Sequence, residues 1–430
     1  MTDSVRYFDH AATTPMRQVA IDAWAEHAHL LNPGGQYASG RAANAALAQA
    51  RETVAEILGA DPVQVIFTAS GTEADNLAIR GLFRAARDAG TPGSNRIVST
   101  PIEHPAVRET VADLAKLGAD VEMLSVGPDG VVRGGSVDSA TAAADAAIAD
   151  AAIADAAAAD AAAADAAIAD AAASKAASTS ALDSPAAVAT CMWANNETGA
   201  IQPVEEIVRR ANAAGTPVHV DAVQVVGHLP VDFHALGATT LAASAHKFGG
   251  PRGAGILLAK RSPVPAPVLT GGGQQRGIRP GTVDVAAAAA TAAALKEAVE
   301  EMDRECARLE VLRDALVAEV LRTIPGARAT VLPEGSRVLP GHAHLTFPGA
   351  NGDAMIMLLD SMGIEASTGS ACNNGVNQRS HVLEAMGLPG DHVDGALRFT
   401  LGRTTMDEDV RFLLERLPGV IGKARDVAKL

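Results

Sequence analysis

Cysteine is scarce: the 430 residues contain three, Cys191, Cys306 and Cys372. That number leaves no room for a disulfide framework and points to a reducing, cytoplasmic setting. Aromatic residues are also sparse, at 3%, beside an apolar fraction of 48% that suits a globular chain. Basic charge is in deficit. With 35 Lys and Arg against 50 Asp and Glu, the net charge is -15, which argues against nonspecific binding to nucleic acid. No long apolar run is present. The longest alanine-rich stretch is cut by an Asp every five residues, so no membrane span is expected. The opening Met1-Thr2-Asp3-Ser4 lacks the basic region and apolar run of a secretory signal. The length is enough for two or more domains with substantial cores.

What is present is a regular alternation. Helices are expected at residues 17–31, 42–58, 204–214, and after the strands near 68 and 99. Strands are expected at 63–68, 96–99, 121–126, 187–193, 218–221, 239–245 and 255–259. This order implies a parallel sheet with helices on its faces. A long helix, 283–321, leads to a second region with a strand at 344–347, a helix at 353–362, a loop holding Cys372 and a last helix from 407. Residues 139–180 interrupt the pattern: Asp145, Asp150, Asp155, Asp160, Asp165 and Asp170 recur every five residues in alanine. Five residues turn a helix by about 500°, so successive Asp residues step round by about 140° and no face stays apolar. The expectation is an exposed or partly frayed helix inserted between two sheet strands, with no role assigned.

The chemistry gathers where strands end. Lys247 follows the strand at 239–245 and precedes Gly249-Gly250. A lysine there either snorkels to solvent or, desolvated, becomes an amine nucleophile able to form a Schiff base. Lys247 alone does not decide between these, but a cofactor bound in that way needs partners: a carboxylate for a pyridine nitrogen, a phosphate cup and a group over the ring face. Asp221 ends the strand at 218–221, where open α/β sheets place their ligands, and Gln224 lies three residues on. Ser70-Gly71-Thr72-Glu73 sits where a strand turns into a helix; it is an ordinary N-cap or a phosphate site. Ser244 and His246 could add phosphate donors, and His104 could cover a ring. Asn196 and Arg398 are candidate clamps for a carboxylate. Cys372 lies in a small, polar, glycine-containing stretch, which predicts a reactive thiol on a mobile loop. Cys191, in an apolar strand, and Cys306, in a helix, read as packing residues.

Taken together, these stretches resemble the pyridoxal-phosphate-dependent cysteine desulfurases of the NifS/IscS type, within the class V aminotransferases. The resemblance is carried by residues 7–15, 70–81, 103–107, 195–199, 219–227, 244–250, 271–282, 367–372 and 398–403, in family order, and only about 134–184 falls outside it. It implies an α/β fold of the fold-type-I transferases, with a large domain on a mostly parallel seven-stranded sheet and a smaller α+β C-terminal domain. The expected division is an N-terminal segment at the active site (1–15), a cofactor-binding domain (16–262, with the 139–180 insert), and a linker helix with the small domain (263–430).

By the same resemblance, Lys247 bonds the cofactor, Asp221 faces its pyridine nitrogen, Gln224 meets the ring oxygen and His104 stacks on the ring. Gly71, Thr72, Ser244 and His246 hold the phosphate, with Thr282 reaching across from a second subunit of a homodimer. Asn196 and Arg398 hold the carboxylate of L-cysteine. His104 or Lys247 moves the protons, and Cys372 takes the sulfur and passes it to an iron–sulfur scaffold or a tRNA-thiolation enzyme. No metal, direct nucleic-acid contact or membrane contact is implied. Ser380-His381-Val382-Leu383 matches the branch with the longer Cys loop. The sequence departs from the family at Thr270, where His is usual, at 32–37 and at Asn373-Asn374. A selenocysteine lyase or another class V enzyme is the near alternative, and a non-catalytic scaffold the distant one.

Overall fold

The computed structural model describes residues 5–133, 181–331, 337–369, 372–373, 376–377 and 379–428. The 139–180 segment lies outside the described residues. The main sheet is built from β2 (Val65–Thr68), β3 (Arg96–Ser99), β4 (Asp120–Met123), β5 (Val188–Met192), β6 (Val218–Asp221), β7 (Thr240–Ser244) and β8 (Gly255–Ala259). Its seven strands run in the order β2-β8-β7-β6-β5-β3-β4. Only β8 is antiparallel to its neighbours, so the other six end at one edge. Strands β5, β6 and β7 are buried along their whole length, as strands covered on both faces must be.

Helices cover both faces. On one side, α3 (Gly71–Ala89) and α4 (Pro105–Lys116) bury Ile79, Leu82, Phe83, Val107 and Val111 against Ile97, Val121 and Val188. On the other, α2 (Ala38–Ile57), α5 (Val204–Ala213) and the first half of α6 (Val285–Thr323) close a larger core. Helix α1 (Gln18–His27) stops short of the expected residue 31, and α2 starts ahead of 42 because Gly40 is taken into its first turn. The strand expected at 121–126 is broken: β4 ends at Met123 and a separate two-residue strand, Ser125–Val126, turns into a hairpin.

The second half of α6 belongs to another core. Leu309, Leu312, Leu316 and Val320 pack with Phe8, Phe347 and Phe399 and with α9 (Asp407–Val427), which follows α7 (Gly352–Asp360) and the one-turn α8 (His381–Ala385) in the chain. A three-stranded antiparallel sheet runs β9 (Arg328–Ala329), β10 (His342–Thr346), β14 (Ala396–Thr400). The chain's first strand, β1 (Arg6–Tyr7), pairs in parallel with β11 (Ile364–Glu365), so the N-terminus is laid into this second unit. Cys372 occupies β12 (Cys372–Asn373), paired with β13 (Val376–Asn377) as a tight hairpin. Its backbone is thus in a hairpin where a plain loop was expected, and its side chain lies outside the described residues. Phe399 and Phe8 are fully buried and meet edge to face at 6.2 Å. Phe399→Ala is expected to lower stability by about 3–5 kcal/mol, read as the urea midpoint at unchanged slope.

Candidate active site

The six co-directional strands deliver their following loops to one edge. Beyond β2, Ser70 caps α3: its Oγ accepts from Glu73 N at 3.0 Å, while Glu73 Oε2 accepts from Ala69 N at 2.5 Å. The amides of Gly71 and Thr72 begin the helix and have no acceptor among the described residues. Gly71 is required by close approach, since a Cβ there would meet Val223 Cγ2 at 2.7 Å and Ser244 Cβ at 3.3 Å. The ends of β2, β6 and β7 are therefore pressed together around a helix N-terminus, a natural seat for a phosphate. Ser244 is buried, and its hydroxyl has no partner among the described residues. His246 Nδ1 lies 3.2 Å from Thr13 Oγ1, and burial holds its imidazole near a pKa of about 4, in the neutral form.

Asp221, at the end of β6, is buried. One of its oxygens accepts from Val223 N at 2.9 Å, and no described residue bonds the other. Burial, and then the neighbouring Asp75, push its pKa up to about 7. No described cation bonds that carboxyl directly, Lys247 and His219 acting on it only through space, and a protonated ring nitrogen would supply the contact. Behind it, His219 Nε2 lies 3.1 Å from Asp75 Oδ1, and its Nδ1 lies 3.0 Å from Thr240 Oγ1. Burial drives the pKa of Asp75 up and that of His219 down.

Lys247 follows β7. Its Nζ donates to Ala11 O at 2.6 Å and Ala12 O at 2.9 Å, and Gln224 Nε2 donates to Ala11 O at 3.1 Å. The N-terminal stretch is thus draped over the amine. Burial lowers the Lys247 pKa to about 8; Arg398 lowers it further, while Asp221 and Asp9 oppose the shift. Lys247 is therefore not a snorkelling surface lysine. His104 caps α4, with Nδ1 accepting from Ala106 N at 3.2 Å. Burial and then Lys247 hold its pKa near about 4, so the ring is neutral. Glu103, beside it, is fully buried: Oε1 accepts from Thr100 Oγ1 and Met192 N, Oε2 has no partner, and burial raises its pKa to about 8.

Arg398, on β14, comes in from the second sheet. Its Nη1 donates to Asn196 O at 2.8 Å, its Nη2 to Asp9 Oδ1 at 2.5 Å, and its Nε is buried without a partner. Lys247, Asp221, Gln224, His104, Ser244, His246, Gly71, Thr72, Asn196 and Arg398 thus fall around one edge. Thr282 does not join them: it is exposed ahead of α6, and no hydrogen bond among the described residues ties it to the cluster. Its loop is nonetheless fastened to α3 by Arg279 Nε on Glu73 Oε1 at 3.0 Å. Asp9, Asp75, Glu103, Glu197 and His219 were not singled out from the sequence. All five lie inside the stretches that carry the resemblance, and that placement is the available signal. Cys191 is wholly buried, and Cys306 donates to His228 O at 3.0 Å; burial raises both thiols, to about 11 for Cys306, which keeps them protonated.

The family model for class V aminotransferases matches residues 6–156 and 152–413, and the two stretches meet inside the alanine–aspartate segment. The IscS-like cysteine desulfurase of Mycobacterium tuberculosis is 43% identical, over 98% of this chain and 98% of that protein. The cysteine desulfurase NifS of Azotobacter vinelandii is 32% identical, over 98% of this chain and 94% of its own. Among solved structures, a NifS-like protein superposes with a TM-score of 0.78 at 30% identity, covering 97% of this chain and all of its own. A protein described as SspA in complex with cysteine superposes with a TM-score of 0.67 at 26% identity, over 92% of this chain and 98% of its own. The chain therefore belongs to the class V aminotransferase family and, within it, to the pyridoxal-phosphate-dependent cysteine desulfurases of the IscS and NifS type.

Proposed function

We propose that the protein takes sulfur from free L-cysteine, releases L-alanine and keeps the sulfur on Cys372 as a persulfide. One observation carries this reading: an amine lowered to about 8, a buried carboxyl with one oxygen unbonded and an arginine whose Nε has no partner, both among the described residues, converge at one sheet edge. Asp221 would keep the cofactor's ring nitrogen protonated, Gln224 would meet the ring oxygen, and neutral His104 would cover the ring face. Gly71, Thr72, Ser244 and His246 would hold the phosphate, with Thr282 of the partner subunit. When bound, pyridoxal phosphate supplies the electron sink that lets a proton leave the substrate α-carbon.

Lys247 Nζ is the group that takes and returns that proton. With a pKa of about 8 it has both forms available near neutrality, whereas His104, near about 4, is a poor acid. Arg398 receives the substrate carboxylate, and the Asn196 carbonyl fixes the arginine's plane. In the sulfur step, the Cys372 thiolate attacks the substrate sulfur. A sulfur–sulfur bond forms, the substrate carbon–sulfur bond breaks, and the carbon takes the electron pair and then a proton to become the methyl group of alanine.

Asp9 sets the clamp: its carboxylate holds Arg398 in place. Asp9→Ala is expected to raise KM for cysteine about tenfold, the worth of one charge-assisted hydrogen bond, with cofactor loading unchanged. An unchanged KM would remove Asp9 from the site. We further propose a homodimer, supported by exposed Trp24, Leu31, Tyr37 and Leu269. The setting is cytoplasmic, in keeping with two described cysteines that are free thiols and with no described helix long and apolar enough to cross a membrane. The sulfur acceptor is an iron–sulfur scaffold or a tRNA-thiolation enzyme.

The test is a single turnover with cysteine in the absence of reductant, followed by peptide mass analysis. The reading requires a gain of about 32 Da on the Cys372 peptide with one alanine formed per site. Alanine without the adduct would make the chemistry direct lyase chemistry.

A further inference from the structure

The stretch that carries Cys372 lies between two roots, Gly369 and Arg379-Ser380, and within it residues 372–373 and 376–377 are described. The far root bonds Glu197, and the near root lies beside it. On the far root, Ser380 Oγ donates a short hydrogen bond to Glu197 Oε2 and also accepts from Leu383 N at 3.1 Å, capping α8. On the near root, Gly369 adopts φ +93°, and a Cβ built there would stand 3.5 Å from Glu197 Cβ and 3.4 Å from His344 Nε2. Two residues before it, Ser367 bridges to Arg398 through Ser367 N to Arg398 O at 3.3 Å and Arg398 N to Ser367 O at 2.6 Å.

Glu197 is itself held from the main sheet. Its amide and that of Thr198 both donate to Asn195 Oδ1 at 2.9 Å, and Asn195 Nδ2 donates to Ile102 O at 3.0 Å. Only 3% of Glu197 is exposed. The residue before it, Asn196, gives its carbonyl to Arg398 Nη1. One dipeptide thus touches the carboxylate clamp with one residue and the root of the cysteine-bearing stretch with the next. A buried carboxylate costs stability unless something uses it. Burial pushes the Glu197 pKa up; the hydrogen bond from Ser380 and then Arg398 oppose that shift.

We infer that Glu197 is a positioning residue for the sulfur-transfer step: through Ser380 it fixes the far root of the Cys372 stretch relative to the arginine that holds the substrate. The inference rests on the persulfide reading above. It separates two functions that share the site. No hydrogen bond or ion pair among the described residues joins the Glu197 side chain to the cofactor- and substrate-binding residues, whereas it accepts from Ser380 at the root of the Cys372 stretch. Small displacements of a nucleophile have large effects on rate, because the reacting atoms must lie within about 3–3.5 Å.

The experiment uses the full-length, cofactor-loaded enzyme as Glu197→Ala, Glu197→Gln and Ser380→Ala. Three readings are taken: the cysteine concentration giving half the visible absorbance change, kcat, and the single-turnover rate of sulfur addition to Cys372. In Glu197→Ala and Ser380→Ala, kcat and the adduct rate should fall about tenfold or more, while the half-saturating concentration moves less than about twofold. Glu197→Gln keeps an oxygen for the Ser380 hydroxyl and should recover most of the rate. Unchanged kcat in both alanine variants overturns the inference. So does a loss of cysteine binding in step with kcat, or a Gln variant as slow as the Ala variant. If the wild-type enzyme itself forms alanine with no adduct on Cys372, the underlying reading fails and takes this inference with it; the wild-type lane alone identifies that case.

Discussion

Lys247→Ala enzyme should carry no covalently bound cofactor, and its turnover of cysteine should fall by on the order of 10⁴-fold or more. The reasoning starts from the amine's surroundings. Two carbonyl oxygens accept from Nζ, and burial has already brought its pKa to about 8. A carbonyl pair orients an ammonium without neutralising it, so the proton comes off more easily than it would beside a carboxylate. The free amine is then a nucleophile at neutral pH, aimed across the edge that Asp221 and Ser244 frame. Alanine supplies neither that nucleophile nor a proton carrier for the α-carbon. Borohydride reduction followed by mass analysis checks the first half: wild type should retain a cofactor adduct on the Lys247 peptide and the variant should retain none. An adduct persisting in the variant would assign the bond to another amine.

Cys372→Ser should separate the two halves of the reaction. The variant should load cofactor and respond to cysteine with the wild-type absorbance change, because none of the residues around Lys247 is altered. Alanine formation should drop by about 10³-fold, since a serine hydroxyl is a far weaker nucleophile toward sulfur than a thiolate. Neither remaining cysteine can substitute. Cys191 is sealed in β5, and Cys306 is held protonated against His228 O. Turnover undiminished in this variant would end the persulfide mechanism while leaving fold and cofactor untouched.

Much of this site was legible because each group stands at the end of a strand with a recognisable burial pattern. Asp221, Lys247 and Ser70-Gly71-Thr72 are such cases, and parallel strands ending at one edge bring them together without further information. Arg398 was legible as a fork for a carboxylate, but not its holder. Asp9 lies 389 residues away, and periodicity carries nothing about which distant carboxylate will face an arginine. The same holds for Asp75 and His219, paired across 144 residues beneath Asp221, and for Glu197 and Ser380, paired across 183. Local patterns report which face of an element is buried; they do not report which buried polar groups find each other. The hairpin at Cys372 escaped notice for a different reason. Its strands are two residues each, too short for any alternation to show.

The N-terminal strand pairing with β11 has a consequence for synthesis. The carbonyls of Ala11 and Ala12 that receive Lys247 are made well before it, yet β1 has no partner strand until residues 364–365 are made, and the Asp9 carboxylate does not meet Arg398 until residue 398 is. Residues 11–14 find partners in Gln224, His246 and Lys247, at the edge of the main sheet, whereas residues 6–9 wait for the second unit. A nascent chain that already has its seven strands has the carbonyls for Lys247 but no substrate clamp. Sulfur chemistry becomes available only once Arg398 has been made and folded, so synthesis of the second unit determines when it starts.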